Sequence, residues 1–543
     1  MQGLMMNTPL LISSLIRHAD RYHADAEIVS RTIEGPIHRY GYRDAHARAR
    51  RLARALVRLG VKESDRVGTL AWNGYRHFEL YYAVSGMAAI VHTINPRLFH
   101  DQLLYIVNHA EDGIVFFDFT FAPLVEKLAP SCKSVKHWVA MTDSAHLPQG
   151  SRIPGLLAYE DLVAAEDDAF EWPTFDENTA SGLCYTSGTT GNPKGVLFSH
   201  RSTILHAYAI SLPDTKGLAA TSSVLAIVPM FHVNAWGIPY AAPMVGAKLV
   251  FPGAALDGAS LYELIESEGV DSTSAVPTVW MGLVNHLKQN KLKFSTLTHT
   301  TIGGAACPPA LMKTLSEDYG VRVRHGWGMT EMSPVGTNNA PKRKHLALDA
   351  AAQFEVAVKQ GRPLYGVEMK VVDAEGNELP RDGKSSGSLL VRGPWILRRY
   401  YRDEGGDPLT PDGWLPTGDM GTIDPDGYLQ ITDRSKDVIK SGGEWISSIE
   451  LENIAVGHPA VNEAAVIGIP HPKWGERPLL IVVKRPGAEL TRDAMLGFYR
   501  GKIASWCLPD DVIFVDELPH TATGKLSKLT LRRQYKDYQL RTG

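Results

Sequence analysis

The chain has 543 residues, more than one hydrophobic core normally serves, so two or more domains are expected. Its hydrophobic fraction of 44% and charged fraction of 21% are ordinary for a globular protein, and a formal net charge of -3 leaves no electrostatic footprint for nucleic acid. Four scattered cysteines (Cys132, Cys184, Cys307, Cys507) form no CxxC pair and adjoin no histidine cluster, which argues against a zinc ribbon or a disulfide framework and fits a reducing, cytoplasmic setting.

The N-terminal segment MQGLMMNTPLLISSLIRHADRYH has no Lys or Arg before Arg17 and is interrupted by Pro9, so it reads as an amphipathic helix rather than a signal peptide. From about residue 40 to 330, short apolar runs alternate with helical patterns. YRDAHARARRLARALVRLG predicts a helix closing on Gly60, RVGTLAW a strand and RHFELYYAVSGMAAI a helix. Residues 217–247 contain no Asp, Glu, Lys or Arg, but Pro229, His232, Asn234, Pro239 and Pro243 argue against a membrane span. That stretch predicts a buried strand (SVLAIVPM), a polar turn (FHVNAW) and a second packed element; no transmembrane segment is expected. Further strands at AKLVF, DSTSAV and LTHTTIGG alternate with helices at SLYELIESEG, PTVWMGLVNHLKQ and PPALMKTLSEDYG. Repeated βα units predict an α/β fold of doubly wound, largely parallel sheets, with ligands on the loops at the carboxyl ends of the strands. After about residue 355, short strands and Gly, Asp and Pro turns predict a β-rich subdomain, about 355–433, completing an N-terminal domain 1–433. Residues 434–543 predict a small, separate α+β domain.

Five segments carry the chemistry. YTSGTTGNPKG, residues 185–195, offers glycines that let backbone N–H groups approach an anion, hydroxyl donors and the charge of Lys194, which together make a phosphate cradle. It is not a Walker A loop: Pro193 stands where the glycine before the lysine belongs, and Gly195 where Ser or Thr belongs. The others are HGWGMTEMSP (325–334), GWLPTGD (413–419), TDRSKDVIKSGGEWIS (432–447) and TATGKLSK (521–528). Taken singly, each has a plainer reading: Glu331 a helix cap, Asp419 an Asx turn, Trp327 a core side chain, Arg434 a surface ion pair.

Together and in this order, they resemble the signature set of the adenylate-forming superfamily of acyl-CoA synthetases, peptide adenylation domains and luciferases. The resemblance runs from about residue 30 to the end. It implies ATP and CoA as co-substrates, Mg²⁺, a carboxylic acid as the partner, and a mobile C-terminal domain. It places ATP or AMP on Thr186, Ser187, Gly188, Thr189, Thr190, Gly191 and Lys194, on Gly303, Gly304, Ala305 and Ala306, on Trp327, Gly328, Met329 and Thr330, and on Asp419 and Arg434. Trp327 matches the aromatic that stacks on adenine, Asp419 the ribose-binding carboxylate, and Thr186 with Glu331 the Mg²⁺ ligands. Lys525 matches the lysine that bridges the substrate carboxylate and the α-phosphate. His232, Trp236, Gly303 and Pro334 match the carboxylate-facing and gating positions of the acyl pocket, which makes Lys525, Glu331 and His232 the expected catalytic group. Lys440, Gly442, Gly443, Trp445 and Glu476 fall on the CoA half-reaction, with a hinge at Lys436 and Asp437.

The stretches HTINPRL, YIVNHAED and IPHPKWGERP are similar to bacterial medium- and long-chain fatty acyl-CoA synthetases and to the relative that activates 3-(methylthio)propanoate. The expected activity is therefore acid:CoA ligation on a fatty acid. The alternatives are a short acid by the same mechanism, and an acid adenylase serving another acceptor. A homodimer and a peripheral position at a membrane are compatible with the sequence and not demanded by it.

Overall fold

The computed structural model describes residues 1, 3–186, 192–442, 444–521 and 525–540. Two large sheets form its body. Seven strands make the first, in the order Leu157–Ala158, His137–Ala140, Ile114–Phe117, Arg66–Leu70, Ile90–Thr93, Ala180–Tyr185 and Gly195–Ser199. Neighbours are parallel except the last pair, an antiparallel hairpin. Nine strands make the second: Arg362–Pro363, Val335–Asn338, Arg322–Gly328, His299–Ile302, Ser272–Ala275, Ser223–Leu225, Lys248–Phe251, Glu27–Arg31 and Ile37–Gly41. Its centre is parallel and both edges are antiparallel.

Central strands such as Ile90–Thr93 and Ile114–Phe117 are buried along their whole length, and the second of them, IVFF, reads accordingly as an unbroken apolar run. The helix Tyr75–Gly86 packs against strands of both sheets and buries every residue except Arg76, so its sequence shows no polar face.

In the second sheet Ser223–Leu225 pairs with both Lys248–Phe251 and Ser272–Ala275, so the strand order reverses there. Crevices at such reversals, beyond the carboxyl ends of the strands, are where doubly wound folds bind ligands. Three strand ends meet at the crevice: Ala180–Tyr185, which leads into Thr186, His299–Ile302, which leads into Gly303, and Arg322–Gly328.

Antiparallel strands Glu368–Val372, Gly387–Arg392, Leu415–Ile423 and Leu429–Arg434 form a four-stranded sheet beside this body. A smaller five-stranded sheet follows, built from Ile439–Ser441, Glu444–Ile446, Val461–His471, Gly475–Lys484 and Asp511–Val515. Its own core joins Ile439, Leu451, Val466, Leu480 and Tyr499, with Leu531 of the helix Lys528–Gln534 on the opposite face. The fold is thus α/β, with a large N-terminal part and a smaller C-terminal one. Among the described residues no helix is long and apolar enough to cross a membrane.

Three details differ from the sequence reading. The βα alternation is joined by an earlier hairpin, Glu27–Arg31 with Ile37–Gly41, which extends the second sheet by pairing with Lys248–Phe251. The expected strand SVLAIVPM is cut to Ser223–Leu225, because the side chain of Asn73 takes over the backbone beyond it. Its amide donates to the carbonyls of Ala226 (2.7 Å) and Val228 (2.8 Å), and its oxygen accepts from the Met230 N–H at 2.6 Å. The expected polar turn FHVNAW is instead a buried left-handed turn over Val233–Trp236.

Candidate active site

The crevice is a cavity of about 770 Å³ lined from the large body, the four-stranded sheet and the C-terminal segment. Its floor begins at the hairpin stem: the Thr186 N–H donates to the Lys194 carbonyl (2.9 Å) and the Lys194 N–H to Thr186 Oγ1 (3.1 Å). A loop between antiparallel strands differs from the strand–loop–helix of a Walker A motif, as Pro193 and Gly195 implied. Ser187, Gly188, Thr189, Thr190 and Gly191 lie outside the described residues. Lys194 Nζ sits 4.7 Å from the ring centre of Tyr400. Gly405 has φ +84, which favours glycine, and its bare Cα leaves room for that ammonium, 2.6 Å from where a Cβ would stand.

Glu331 lies in the short turn Thr330–Met332, buried to 7% exposure, and its Oε1 accepts a hydrogen bond from the Tyr400 hydroxyl at 2.8 Å. Burial raises its pKa, opposed by the Tyr400 hydrogen bond and by the charges of Arg434 and Lys525. Lys525 reaches the same space from the C-terminal part, its Cε passing 3.9 Å from where a Gly304 Cβ would be. Desolvation first, and Arg434 second, pull its pKa down to about 8, while Asp419 and Glu331 oppose the shift. His232 is pushed down to about 3 by desolvation and by Lys525, so at neutral pH it is an uncharged donor or acceptor.

Asp419, Trp327 and Arg434 form one unit. The antiparallel ladder sets Asp419 opposite Arg434, whose Nε lies 3.3 Å from Oδ1, and the Trp327 indole N–H donates to Oδ2 at 2.7 Å. The carboxylate is therefore oriented before any ligand arrives. Gly303, Gly304, Gly328, Met329, Thr330 and Pro334 also line the cavity. A Cβ on Gly303 would stand 2.8 Å from the Gly326 carbonyl oxygen and 3.3 Å from the Trp236 ring, so the chain passes there without a side chain. Ala305 and Ala306 line an adjoining space of about 270 Å³ shared with Lys525, beside the main cavity rather than in its wall.

Val233, Val335 and Trp236 supply apolar wall to the cavity, and the Trp236 ring lies 3.6 Å from where a Gly304 Cβ would be, beside the point that Lys525 reaches. Val233, Asn234, Ala235 and Trp236 all have positive φ, 44, 55, 49 and 53 degrees, and none is glycine. Such a conformation costs an L-residue roughly 1–2 kcal/mol, so the surroundings must hold this turn in place. The Tyr81 hydroxyl supplies part of that hold, donating to the Met230 carbonyl at 2.6 Å and lying 3.1 Å from Asn234 Oδ1.

Lys436 lines the cavity, and Asp437 next to it pairs with Arg532 of the C-terminal helix at 2.6 Å. Lys440, Gly442, Trp445 and Glu476 are not brought to the cavity. They sit on the hairpin Ile439–Ser441 and Glu444–Ile446 and its neighbouring strand, where the Lys440 N–H donates to Glu476 Oε2 at 3.0 Å and Trp445 is 51% exposed. A Cβ on Gly442 would press into the Trp474 ring at 2.8 Å. Gly443 lies outside the described residues.

Sequence reasoning missed Asn192, Thr301, Tyr400, Glu404, Gly405, Thr417, Gly418 and Ser435, all in the cavity wall. The glycines of RRYYRDEGGD signal a turn, but nothing in that string announces that Tyr400 meets Glu331.

The chain is similar to known proteins along nearly its whole length. Residues 15–401 match the family described as AMP-binding enzyme, and residues 450–525 match the AMP-binding enzyme C-terminal domain. A 3-methylmercaptopropionyl-CoA ligase of Ruegeria lacuscaerulensis is 54% identical over 99% of both chains. A medium-chain-fatty-acid–CoA ligase of Ectopseudomonas oleovorans is 51% identical over 100% of this chain and 99% of its own. Among solved structures, an anthranilate CoA ligase in complex with anthranoyl-AMP superposes with a TM-score of 0.86 at 25% identity, over 98% of this chain and 99% of its own. The chain belongs to the AMP-binding enzyme family and, within it, is an ATP-dependent acid:CoA ligase.

Proposed function

We propose that this ligase activates a medium- or long-chain fatty acid. An acid carboxylate oxygen attacks the α-phosphorus of ATP, the bond to pyrophosphate breaks, and the CoA thiol then displaces AMP from the acyl-adenylate to give the thioester. The observation that supports this best is the convergence of Lys525, Glu331, Asp419 and Arg434 on one cavity whose wall also carries Val233, Trp236 and Val335. In this reading Asp419 takes the ribose hydroxyls, Trp327 stacks on adenine, and the hairpin loop with Lys194 holds the β- and γ-phosphates. Lys525 brings two anions together by point charge, and Arg434 contacts ribose or phosphate. His232, neutral, faces the substrate carboxylate.

Glu331 and Thr186 fit Mg²⁺: one buried carboxylate and one hydroxyl, with ATP phosphates and waters completing the shell, is the arrangement this ion favours. Among the described residues no group of three His, Cys, Asp or Glu could hold a metal without substrate. The ion would neutralise charge on the phosphates. Residues 434–543 act as a lid on a domain formed by 1–433, with its β-rich subdomain at about 355–433. Turning about Lys436 and Asp437, the lid withdraws Lys525 and presents Lys440, Gly442, Gly443, Trp445 and Glu476 to CoA.

A second reading, a short acid such as 3-(methylthio)propanoate, is favoured by the Trp236 indole, which stands in the cavity wall. Following AMP release from ATP, Mg²⁺ and CoA across straight-chain acids from propanoate to hexadecanoate, with 3-(methylthio)propanoate alongside, separates the two. Release that needs no CoA would instead mark an acid adenylase, and no release with any acid would refute the proposal.

A further inference from the structure

Immediately before the uncharged stretch stands Lys216, whose side chain is buried to 4% exposure. Its main chain is fixed: the N–H donates to the Ile210 carbonyl at 2.9 Å, and its own carbonyl lies 3.1 Å from His299 Nε2. The ammonium donates to Ser274 Oγ at 2.6 Å, and among the described residues no carboxylate pairs with it. The nearby charge is Arg324, which repels it; burial and that repulsion pull its pKa down to about 7. A buried cation with so little compensation is costly and calls for a reason.

The reason on view is the indole of Trp236. Lys216 Nζ lies 5.5 Å from the ring centre, within the range where an ammonium is attracted to an aromatic face and where desolvation strengthens the attraction. Trp236 lines the cavity and Lys216 does not, so the lysine stands behind the indole as seen from the site. The same tryptophan rides on the left-handed turn Val233–Trp236, a backbone that would relax if its side chain were released.

We propose that Lys216 is a specificity-determining residue: backed by Ser274, it holds the Trp236 indole in place in the cavity wall and so limits the acyl chain length this ligase accepts. The inference rests on the ligase reading above and, between its two substrate readings, favours the shorter acid. A short acid fits in front of the indole. A longer alkyl chain must push it aside, against both the ammonium contact and the packing around it. The energy of that contact then enters kcat/KM for long acids and leaves short ones untouched.

The test uses the full chain and AMP release with butanoate and decanoate. Lys216→Met keeps the length of the side chain and removes its charge. It should raise the decanoate-to-butanoate ratio of kcat/KM about tenfold, equivalent to ~1.4 kcal/mol. Ser274→Ala, which removes the lysine's anchor and leaves its charge, should move the ratio the same way, about threefold. An equal loss on both acids, the mark of a merely structural lysine, would overturn the inference, as would an unmoved ratio. Turnover by the unaltered chain with an unmoved ratio in both variants sinks this inference alone. No turnover by the unaltered chain with any acid sinks the ligase reading and this one together.

Discussion

Glu331 and Asp419, assigned to adenylation, are buried in the wall of the cavity, whereas Lys440 and Trp445, assigned to CoA transfer, stand exposed on a hairpin away from it. Glu331 and Asp419 are each 7% exposed, against 51% for Trp445. The first set bears the cost of burying charge: Glu331 is raised and Lys525 lowered by desolvation, Glu331 being compensated by Tyr400, Arg434 and Lys525, and Lys525 by Asp419 and Glu331. In exchange those charges are held in place and need not reorganise during the reaction. The hairpin's Lys440 and Trp445 bear no such cost, while its Ile439 and Ile446 are anchored in the core of the C-terminal part, so the hairpin can move only with that whole part. In the proposed reading preorganisation belongs to one half-reaction and mobility to the other.

The largest test of this contrast is Lys525→Ala. Removing a positioned charge from the cavity should lower adenylation, followed by pyrophosphate exchange, by about a hundredfold or more. Thioester formation from supplied acyl-adenylate and CoA should change only a few-fold. Comparable losses in both assays would erase the distinction between the two regions.

Lys436→Pro attacks the other side. Stiffening the hinge should leave pyrophosphate exchange within a few-fold of normal, because the cavity is already assembled. It should lower thioester release by roughly tenfold or more, at least ~1.4 kcal/mol on that step. Normal CoA transfer in this variant would argue that the hairpin reaches the adenylate without turning.

A smaller effect is expected from pH. The Lys525 pKa is lowered to about 8, so its charge is present below that pH and lost above it. The kcat/KM of pyrophosphate exchange, which reports the free enzyme, should fall above about pH 8, approaching tenfold per unit. Lys525→Arg keeps its charge throughout and should lose this alkaline limb even if its rate is lower. An unchanged limb in that variant would assign it elsewhere.

How much of this was legible in the sequence follows from the range of each contact. Glu331, Trp327, Asp419 and Lys525 sit in short, dense strings, and the βα rhythm that places them is a local pattern. Tyr400 acts on Glu331 across 69 residues and Lys216 on Ser274 across 58, each from a segment with no distinctive composition. The left-handed turn at Val233–Trp236 contains no glycine to announce it, and the strand before it is shortened by Asn73, more than 150 residues away. What escaped was decided by packing partners distant in the chain, which propensity and periodicity do not encode.

The finest probe of the contrast is Tyr400→Phe. The hydroxyl makes one hydrogen bond, 2.8 Å long, to the buried carboxylate, while the ring beneath it supports the Lys194 ammonium. Phenylalanine keeps the ring and deletes the donor, so Lys194 retains its seat and Glu331 loses one of the groups that offset its burial. A hydrogen bond to a charged group contributes about 1.5 kcal/mol or more net, so the apparent KM for Mg²⁺-ATP should rise about tenfold with kcat less affected. If Glu331 holds the ion, raising Mg²⁺ should recover most of the loss in pyrophosphate exchange. Thioester formation from supplied acyl-adenylate, which has no need of the triphosphate, should be unmoved. A loss shared by both half-reactions, or one that Mg²⁺ cannot recover, would show that Tyr400 supports the fold of the crevice rather than the aim of its carboxylate.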